Sequence, residues 1–195
     1  MMKKTLLSLP LLLSLSMADN LLPVLQLAYD VGGDELVTIE HDYERDYTIK
    51  AGDGLSFEAG IAVNNPMSNL EFQFLVGYKT DSDSAYNGEI EWSTVPLTAL
   101  ALVKSHGWKF GGGVTYHINP KLDGKFSNDT INYNFDNAIG VVAQIQYSPI
   151  DMFAIGIRTT FIEYELKNRP SNRADGISIG VVGTFKFGEE RSNYQ

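Results

Sequence analysis

Residues 70–79 read LEFQFLVGYK, and apolar side chains in this stretch alternate with polar or small ones. Successive side chains of a β-strand point to opposite faces, so such a strand has one apolar face. That face carries Leu70, Phe72, Phe74, Val76 and Tyr78. The opposite face carries Glu71, Gln73, Gly77 and Lys79. Residues 55–64 repeat the alternation, and the sequence therefore predicts strands that are apolar on one side only.

Working outward from this stretch, the chain contains eight segments of this kind, each about 9–11 residues long, the length that crosses a bilayer when tilted. They lie at residues 24–33, 55–64 and 70–79, within residues 90–103, and at residues 108–118, 138–147, 153–161 and 176–187. The alternation is least regular in the fourth segment. Pro96 also removes a backbone donor there, which sheets tolerate at edges and bulges.

The connections between these segments alternate in length. The short ones are residues 65–69, 104–107 and 148–152, and the long polar ones are residues 34–52, 81–89, 119–137 and 167–175. In an up-and-down meander, all short turns fall at one end and all long loops at the other. The sequence therefore predicts an all-β, eight-stranded, antiparallel up-and-down transmembrane β-barrel, with both termini at the short-turn end.

The N-terminus has the pattern of a cleaved signal peptide covering residues 1–18. Lys3 and Lys4 precede an apolar run, and Ser16-Met17-Ala18 supplies small residues at the cleavage site. Removing this segment changes the formal net charge from −9 to −11, because it contains two lysines and no acidic residue. Such an acidic chain is a poor candidate for binding nucleic acid. With no cysteine, the chain has neither disulfides nor thiolate chemistry.

Residue size indicates which face of the barrel points outward. A soluble, lipocalin-like barrel would turn its apolar face inward around a ligand. In this chain the polar faces are rich in Gly, Ala, Ser and Thr, which fit the narrow interior of an eight-stranded barrel. Bulky aromatic side chains gather near the ends of the strands, as at two membrane–water interfaces. These predicted girdle residues are Phe72, Tyr78, Trp92, Trp108, Tyr116, Tyr147, Phe153, Phe161, Phe185 and Phe187.

Together these features resemble the small outer-membrane proteins of Gram-negative bacteria, the OmpA/OmpX-like and opacity-type barrels. The sharpest local match is residues 183–187, Gly-Thr-Phe-Lys-Phe, which is similar to the aromatic-x-aromatic signal of a terminal strand. The family usually ends at that phenylalanine, whereas here residues 188–195 follow and predict a short periplasmic extension after a barrel of residues 19–187. The resemblance implies an outer-membrane monomer that contacts lipopolysaccharide and the barrel assembly machinery.

Seven charged side chains lie on the predicted lumen faces. They are Asp30, Glu58, Glu71, Lys79, Lys109, Arg158 and Lys186. In a narrow lumen these charges are expected to pair, because an unpaired buried charge is very costly. The favoured interpretation is a lumen plugged by ion pairs, with a structural, adhesive or surface-interaction role for the protein. A charged constriction in a narrow pore is the alternative.

The sequence provides little support for an enzyme. Some barrels of this kind are lipid A deacylases or palmitoyl transferases, which rely on a serine with a nearby histidine. His41, His106 and His117 do not fit that arrangement on a lipid-facing strand. Asp81 and Asp83 begin like a calcium loop, but Ala85 and Tyr86 occupy later positions that need a ligand and a glycine. We therefore expect no catalytic residues, no metal site and no cofactor.

The fourth long loop carries a small group of basic side chains, Lys167, Arg169 and Arg173. Charge-assisted contacts with lipopolysaccharide phosphates are the expected role of this group.

Overall fold

A computed structural model describes residues 21–39, 47–64, 68–85, 88–126, 129–167 and 169–188. The predicted signal peptide, His41 and most of the predicted C-terminal extension lie outside the described residues. No helix in the described part of the chain has the length and apolar character needed to span a membrane.

The described residues form twelve β-strands. In chain order they are β1 (Leu21–Gly32), β2 (Glu35–Ile39), β3 (Tyr47–Lys50), β4 (Gly54–Asn64), β5 (Leu70–Ala85), β6 (Gly88–Ser105), β7 (Trp108–Phe126), β8 (Asp129–Asn134), β9 (Ala138–Ile150), β10 (Phe153–Leu166), β11 (Arg169–Asp175) and β12 (Ser178–Lys186). Eight of them pair antiparallel in the order β1, β4, β5, β6, β7, β9, β10, β12, and β12 pairs back onto β1. The predicted closed barrel is confirmed.

The other four strands occupy three of the predicted long loops. β8 adds to the upper part of β7, β11 adds to the upper part of β10, and β2 pairs with β3 as a separate two-stranded sheet. The prediction of strands of about 9–11 residues was wrong for β5, β6 and β7, which have 16, 18 and 19 residues. These strands continue past the apolar band. Beyond the band their outward side chains are polar, whereas inward side chains such as Ile90 and Trp92 are apolar and buried.

The two short connections that the structure describes in full, β6–β7 and β9–β10, are tight turns at the end of the barrel that holds both described termini. Between β6 and β7 the turn has two residues, His106 and Gly107, with φ of 50° and 82°. Two positive φ values define a type I′ turn, whose twist matches that of the flanking strands. In β6 itself the register shifts between Ser93 and Val95, next to Pro96, so the proline lies beside a bulge as the missing donor requires.

The bulky apolar side chains point away from the barrel axis. Phe57, Ile157 and Val181 are 52%, 50% and 57% exposed, whereas Glu58, their inward counterpart on β4, is 1% exposed. A soluble barrel has the opposite arrangement, with its apolar groups inside and its charges in water. The outward band therefore has the character of a lipid-facing surface, as in transmembrane barrels.

Candidate functional site

The central feature of the lumen is Arg158 on β10, whose guanidinium lies between two carboxylates. Arg158 Nη1 donates to Glu58 Oε1 at 2.5 Å, and Nη2 donates to Asp30 Oδ2 at 2.7 Å. Lys79 Nζ reaches the same Asp30 oxygen at 3.0 Å and the Gly52 carbonyl at 2.7 Å. All four charged residues are at most 5% exposed. Two positive and two negative charges thus compensate one another in this arginine cluster.

A second cluster lies nearer the short-turn end and centres on Glu71. Its carboxylate accepts from Lys109 at 2.9 Å, from Lys186 at 3.2 Å and from Gln73 Nε2 at 2.6 Å. Lys109 and Lys186 come from strands on opposite sides of β9 and β10, so Glu71 joins distant parts of the barrel wall. The structure therefore brings all seven predicted lumen charges into two ion-pair clusters.

Uncharged polar side chains extend the arginine cluster. Thr184 Oγ1 accepts from Gln26 Nε2 at 2.9 Å and from Gln146 Nε2 at 2.6 Å, and Gln26 Oε1 accepts a longer bond of 3.4 Å from Arg158. A cavity beside the arginine cluster, lined in part by Asp30 and His117, has a volume of about 10 Å³. A cavity of this size is at the lower limit for one water molecule.

Glycines on the inner faces make room for these groups. A Cβ at Gly180 would overlap Asp30 Oδ1 and Tyr29 O, and would lie 2.8 Å from the Asp30 Cα. At Gly77 a Cβ would overlap the Cγ of Glu58. The absence of a side chain at Gly180 and Gly77 is therefore a condition for the arginine cluster.

We expect Gly180→Ala to destabilise the barrel by about 1–3 kcal/mol, the usual cost of overpacking. The added methyl pushes the Asp30 carboxylate away from Arg158. Gly183→Ala on the same strand is the matched control, because its Cβ would meet only Phe153 Cε2 at 3.7 Å, an ordinary contact. Urea titration of both variants in lipid vesicles measures the difference, and equal stability of the two would contradict this role for Gly180.

An apolar cluster closes the lumen at the long-loop end. We call it the outer cap; its buried members are Ile49, Ala51, Ile90, Trp92, Leu122, Phe135, Ala138, Ile162, Tyr164 and Ala174. Trp92 meets Phe135 and Tyr164 edge-on, each with ring centroids 5.3 Å apart. Smaller apolar groups of Leu22, Val24, Ala62 and Leu75 and of Leu100, Leu102 and Val142 are also buried. Sequence reasoning missed these groups because it treated the inner faces as polar.

The assignment of Trp92 to the aromatic girdle was wrong. Trp92 is 0% exposed and belongs to the outer cap. Its inward direction follows from the alternation of β6, since Thr98, Leu100 and Leu102 at other even positions are buried as well. The same alternation, extended along β6 from Thr98 past Pro96 to Trp92, predicts that Trp92 is buried.

His117 lies between the outer cap and the arginine cluster. Its Nδ1 is 2.7 Å from the Tyr164 hydroxyl, and its ring also lines the small cavity beside Arg158. Tyr164 lies on β10 beyond Phe161, and burial raises the pKa of its hydroxyl above the ordinary value. His117 thus connects the apolar and charged layers.

The remaining nine predicted girdle residues lie on the outward surface. Near the short turns, Trp108 packs against Tyr147 and Phe153 against Phe185, with ring centroids 5.1 and 4.9 Å apart. Near the long loops, the Tyr78 hydroxyl donates to Glu91 Oε1 at 2.8 Å. Tryptophan and tyrosine rings, which are apolar at one end and polar at the other, are typical of membrane–water interfaces.

Above the outer girdle the outward face becomes charged. On β10, Glu163 and Glu165 follow Phe161 on the same face, and Arg173 of β11 pairs with them at 2.7 and 2.9 Å. On β7, Asp123 accepts a hydrogen bond from Lys121 at 2.7 Å, which raises the pKa of that ammonium group. This change marks the upper boundary of the lipid-facing band.

The described residues contain no group of three or more His, Asp or Glu arranged to hold a metal ion. Asp81 and Asp83 lie within β5 rather than in a loop. His106 is exposed in its turn, where Ser105 Oγ lies 3.0 Å from its Nδ1. Arg173 of the predicted basic group is engaged by the two glutamates.

Comparisons with solved structures identify known proteins with a similar barrel fold. Neisserial surface protein A matches with 8% identity and a TM-score of 0.54, over 86% of this chain and 97% of that chain. Ail, the attachment invasion locus protein of Yersinia pestis, matches with 11% identity and a TM-score of 0.53, over 88% and 100%. Ail in complex with the heparin analogue sucrose octasulfate gives a TM-score of 0.53 at 10% identity, over 86% and 98%.

No protein-family model and no curated protein matches the chain. At identities near 10%, the structural likeness concerns the fold alone. It agrees with the closed eight-stranded antiparallel barrel. The chain therefore has the fold of the small eight-stranded outer-membrane β-barrels.

Proposed function

We propose that this chain is exported by its N-terminal signal peptide, resides in the outer membrane and acts through its extracellular strands and loops in attachment or another surface interaction. The observation that carries the proposal is the filled lumen. Two ion-pair clusters and the outer cap occupy it, and the cavity beside Arg158 has only about 10 Å³. A barrel without a free bore offers a macromolecular partner only its exposed surface.

The projecting strands support this role. β6 and β7 carry a rim above the lipid-facing band, extended by β8, and β11 extends β10 in the same way. One structural neighbour is the attachment invasion locus protein of Yersinia pestis, whose name is consistent with the proposed class of function. The formal net charge, −9 for the whole chain and −11 without the predicted signal peptide, favours neutral or cationic partners over polyanions.

The test compares bacteria that display the chain with bacteria that carry the empty vector. Heat-modifiability on a gel, in which a folded barrel migrates anomalously until boiled, first establishes that the barrel is assembled. We expect the displaying cells to adhere several-fold more to epithelial cells or matrix-coated wells. Adhesion equal to that of the vector control, with the barrel folded, would refute the proposed attachment role.

The plugged lumen predicts the absence of steady current through the purified protein in a planar bilayer. The alternative, a narrow pore with Arg158 at its constriction, predicts a steady ion-selective current that changes in an Arg158→Ala variant. An open channel in the unmodified protein would therefore overturn the plug. Unaltered lipid A by mass analysis after expression is the outcome expected for a barrel that is not an enzyme.

Two further partners are proposed, the barrel assembly machinery and lipopolysaccharide. Phe185 and Phe187 lie outward near the end of β12 and provide the aromatic-x-aromatic signal for the barrel assembly machinery. Lys167 and Arg169, both exposed, lie near β11 and are available to lipopolysaccharide phosphates.

A further inference from the structure

The β2–β3 hairpin contributes to the outer cap without belonging to the barrel sheet. β2 and β3 hydrogen-bond to each other as a separate two-stranded sheet. Ile49 on β3 and Ala51 just after it are both 0% exposed, and Leu36 and Val37 pack against the same cluster. Backbone bonds join the base of the hairpin to the barrel, from Asp34 N to Asp175 O at 2.6 Å and from Gly52 N to Gly32 O at 3.0 Å.

The other main members of the outer cap are held by the rest of the protein. Ile90, Trp92, Leu122, Ile162 and Tyr164 lie on β6, β7 and β10, which hydrogen-bond into the barrel sheet. Phe135 is fixed beside them, since its N–H donates to Pro120 O at 2.9 Å. Without the hairpin, these strands would present an aromatic and aliphatic concavity at the outer end of the lumen.

One polar atom of this concavity has no partner. Trp92 Nε1 is buried and has no hydrogen-bond partner among the residues that the structure describes. Buried donors are nearly always paired, and leaving one unpaired carries the full cost of its desolvation. An acceptor that entered the cap with an apolar body would remove this cost. Among the described residues of the hairpin segment, those that pack into the cap are Leu36, Val37, Ile49 and Ala51, whose aliphatic side chains supply no acceptor.

We propose that the outer cap is a binding site for a small, uncharged, apolar molecule that bears a hydrogen-bond acceptor. In the unliganded protein, Ile49 of the β2–β3 hairpin occupies the space that such a molecule takes. The ligand replaces the buried Ile49 side chain with its own apolar body and accepts a bond from Trp92 Nε1. An uncharged ligand fits because every buried member of the cap is uncharged.

The two tryptophans of the chain make the site directly observable. With ¹⁵N-tryptophan labelling in lipid nanodiscs, Trp92 reports on the cap and Trp108, in the girdle near the short turns, reports on the lipid. We expect cyclohexanone, a soluble ring with a carbonyl acceptor, to shift the Trp92 indole signal saturably and leave that of Trp108 unchanged. Signals that move together without saturation indicate partition into lipid and overturn the proposal, as does a Trp92 signal that does not move.

Two variants separate the role of the hairpin from that of the donor. Ile49→Ala weakens the competing hairpin, so we expect an apparent Kd for cyclohexanone about tenfold lower, because more of the protein is binding-competent. Unchanged affinity in this variant would overturn the assignment of Ile49 as the occupant.

Trp92→Phe keeps a ring and removes the N–H. Binding to this variant is followed by the Ile162 methyl signal. We expect its affinity for cyclohexanone to fall at least tenfold. Its affinity for methylenecyclohexane, which lacks the carbonyl, should equal that of the unmodified protein. Equal losses for the two probes would refute the hydrogen bond. If Trp92→Phe does not fold, the comparison of the two probes on the Ile49→Ala variant decides the same point.

Discussion

Arg158→Ala is expected to lower the free energy of unfolding of the barrel by about 3–5 kcal/mol, the cost of breaking a buried ion pair by removing one partner. Its guanidinium is the shared partner of Asp30 and Glu58, which are both 1% exposed. Removing it leaves Glu58 without its ion-pair partner and Asp30 with Lys79 alone. Urea titration in lipid vesicles, followed by heat-modifiability, measures the loss.

Arg173→Ala is the matched control for this variant. Arg173 also pairs with two carboxylates, those of Glu163 and Glu165, but its side chain is 57% exposed. Exposed pairs of this kind contribute about 0–1 kcal/mol, because water screens them. A loss in Arg158→Ala no larger than that in Arg173→Ala would show that the lumen pairs do not hold the barrel together.

The second large effect is expected for Ile157→Arg, at the centre of the lipid-facing band. Ile157 is 50% exposed outward, and its cross-strand neighbours Ile145 and Val181 point the same way. An arginine at the bilayer midplane of a barrel costs about 2–4 kcal/mol, a cost that falls to about 0–1 near the interfaces. Unfolding of the variant in vesicles should show this loss.

The control for Ile157→Arg is the same substitution at a position nearer the membrane–water interface. Phe161→Arg lies four residues along the same strand and the same face, next to Glu163 at the outer boundary. After allowance for the lost aromatic contacts, measured with Phe161→Ala, the charge itself should cost little there. Equal charge penalties at positions 157 and 161 would mean that water, rather than lipid, surrounds the band.

The fold could be predicted from the sequence because it depends on local alternation. Within each strand, parity alone assigns Phe57 and Glu58 to opposite faces, and the turn lengths then set the strand order. The same reasoning selected the seven charged lumen residues. It could not pair them, since Asp30 and Arg158 are 128 positions apart and their contact depends on the curvature of the closed wall.

The part beyond the outer girdle was the least predictable for a related reason. Residues 119–137 are polar enough to resemble a loop, yet β7 continues into them as far as Phe126 and β8 pairs with it. The outward side chains there face water, so the apolar alternation that identifies a membrane strand is lost. Inward residues such as Trp92, Leu122 and Phe135 retain it, and only their clustering in three dimensions reveals the outer cap.

The pairing of β12 with β1 has a consequence for how the protein is made. Arg158 meets Asp30 across this seam, which joins residues near the two ends of the described chain. Contacts so distant in sequence form slowly. Arg158 reaches Asp30 and Glu58, and Lys186 reaches Glu71, only when β12 meets β1. The Lys79–Asp30 and Lys109–Glu71 pairs join β1, β5 and β7 and do not cross this seam, so closure of the wall completes an interior charge balance that these pairs begin.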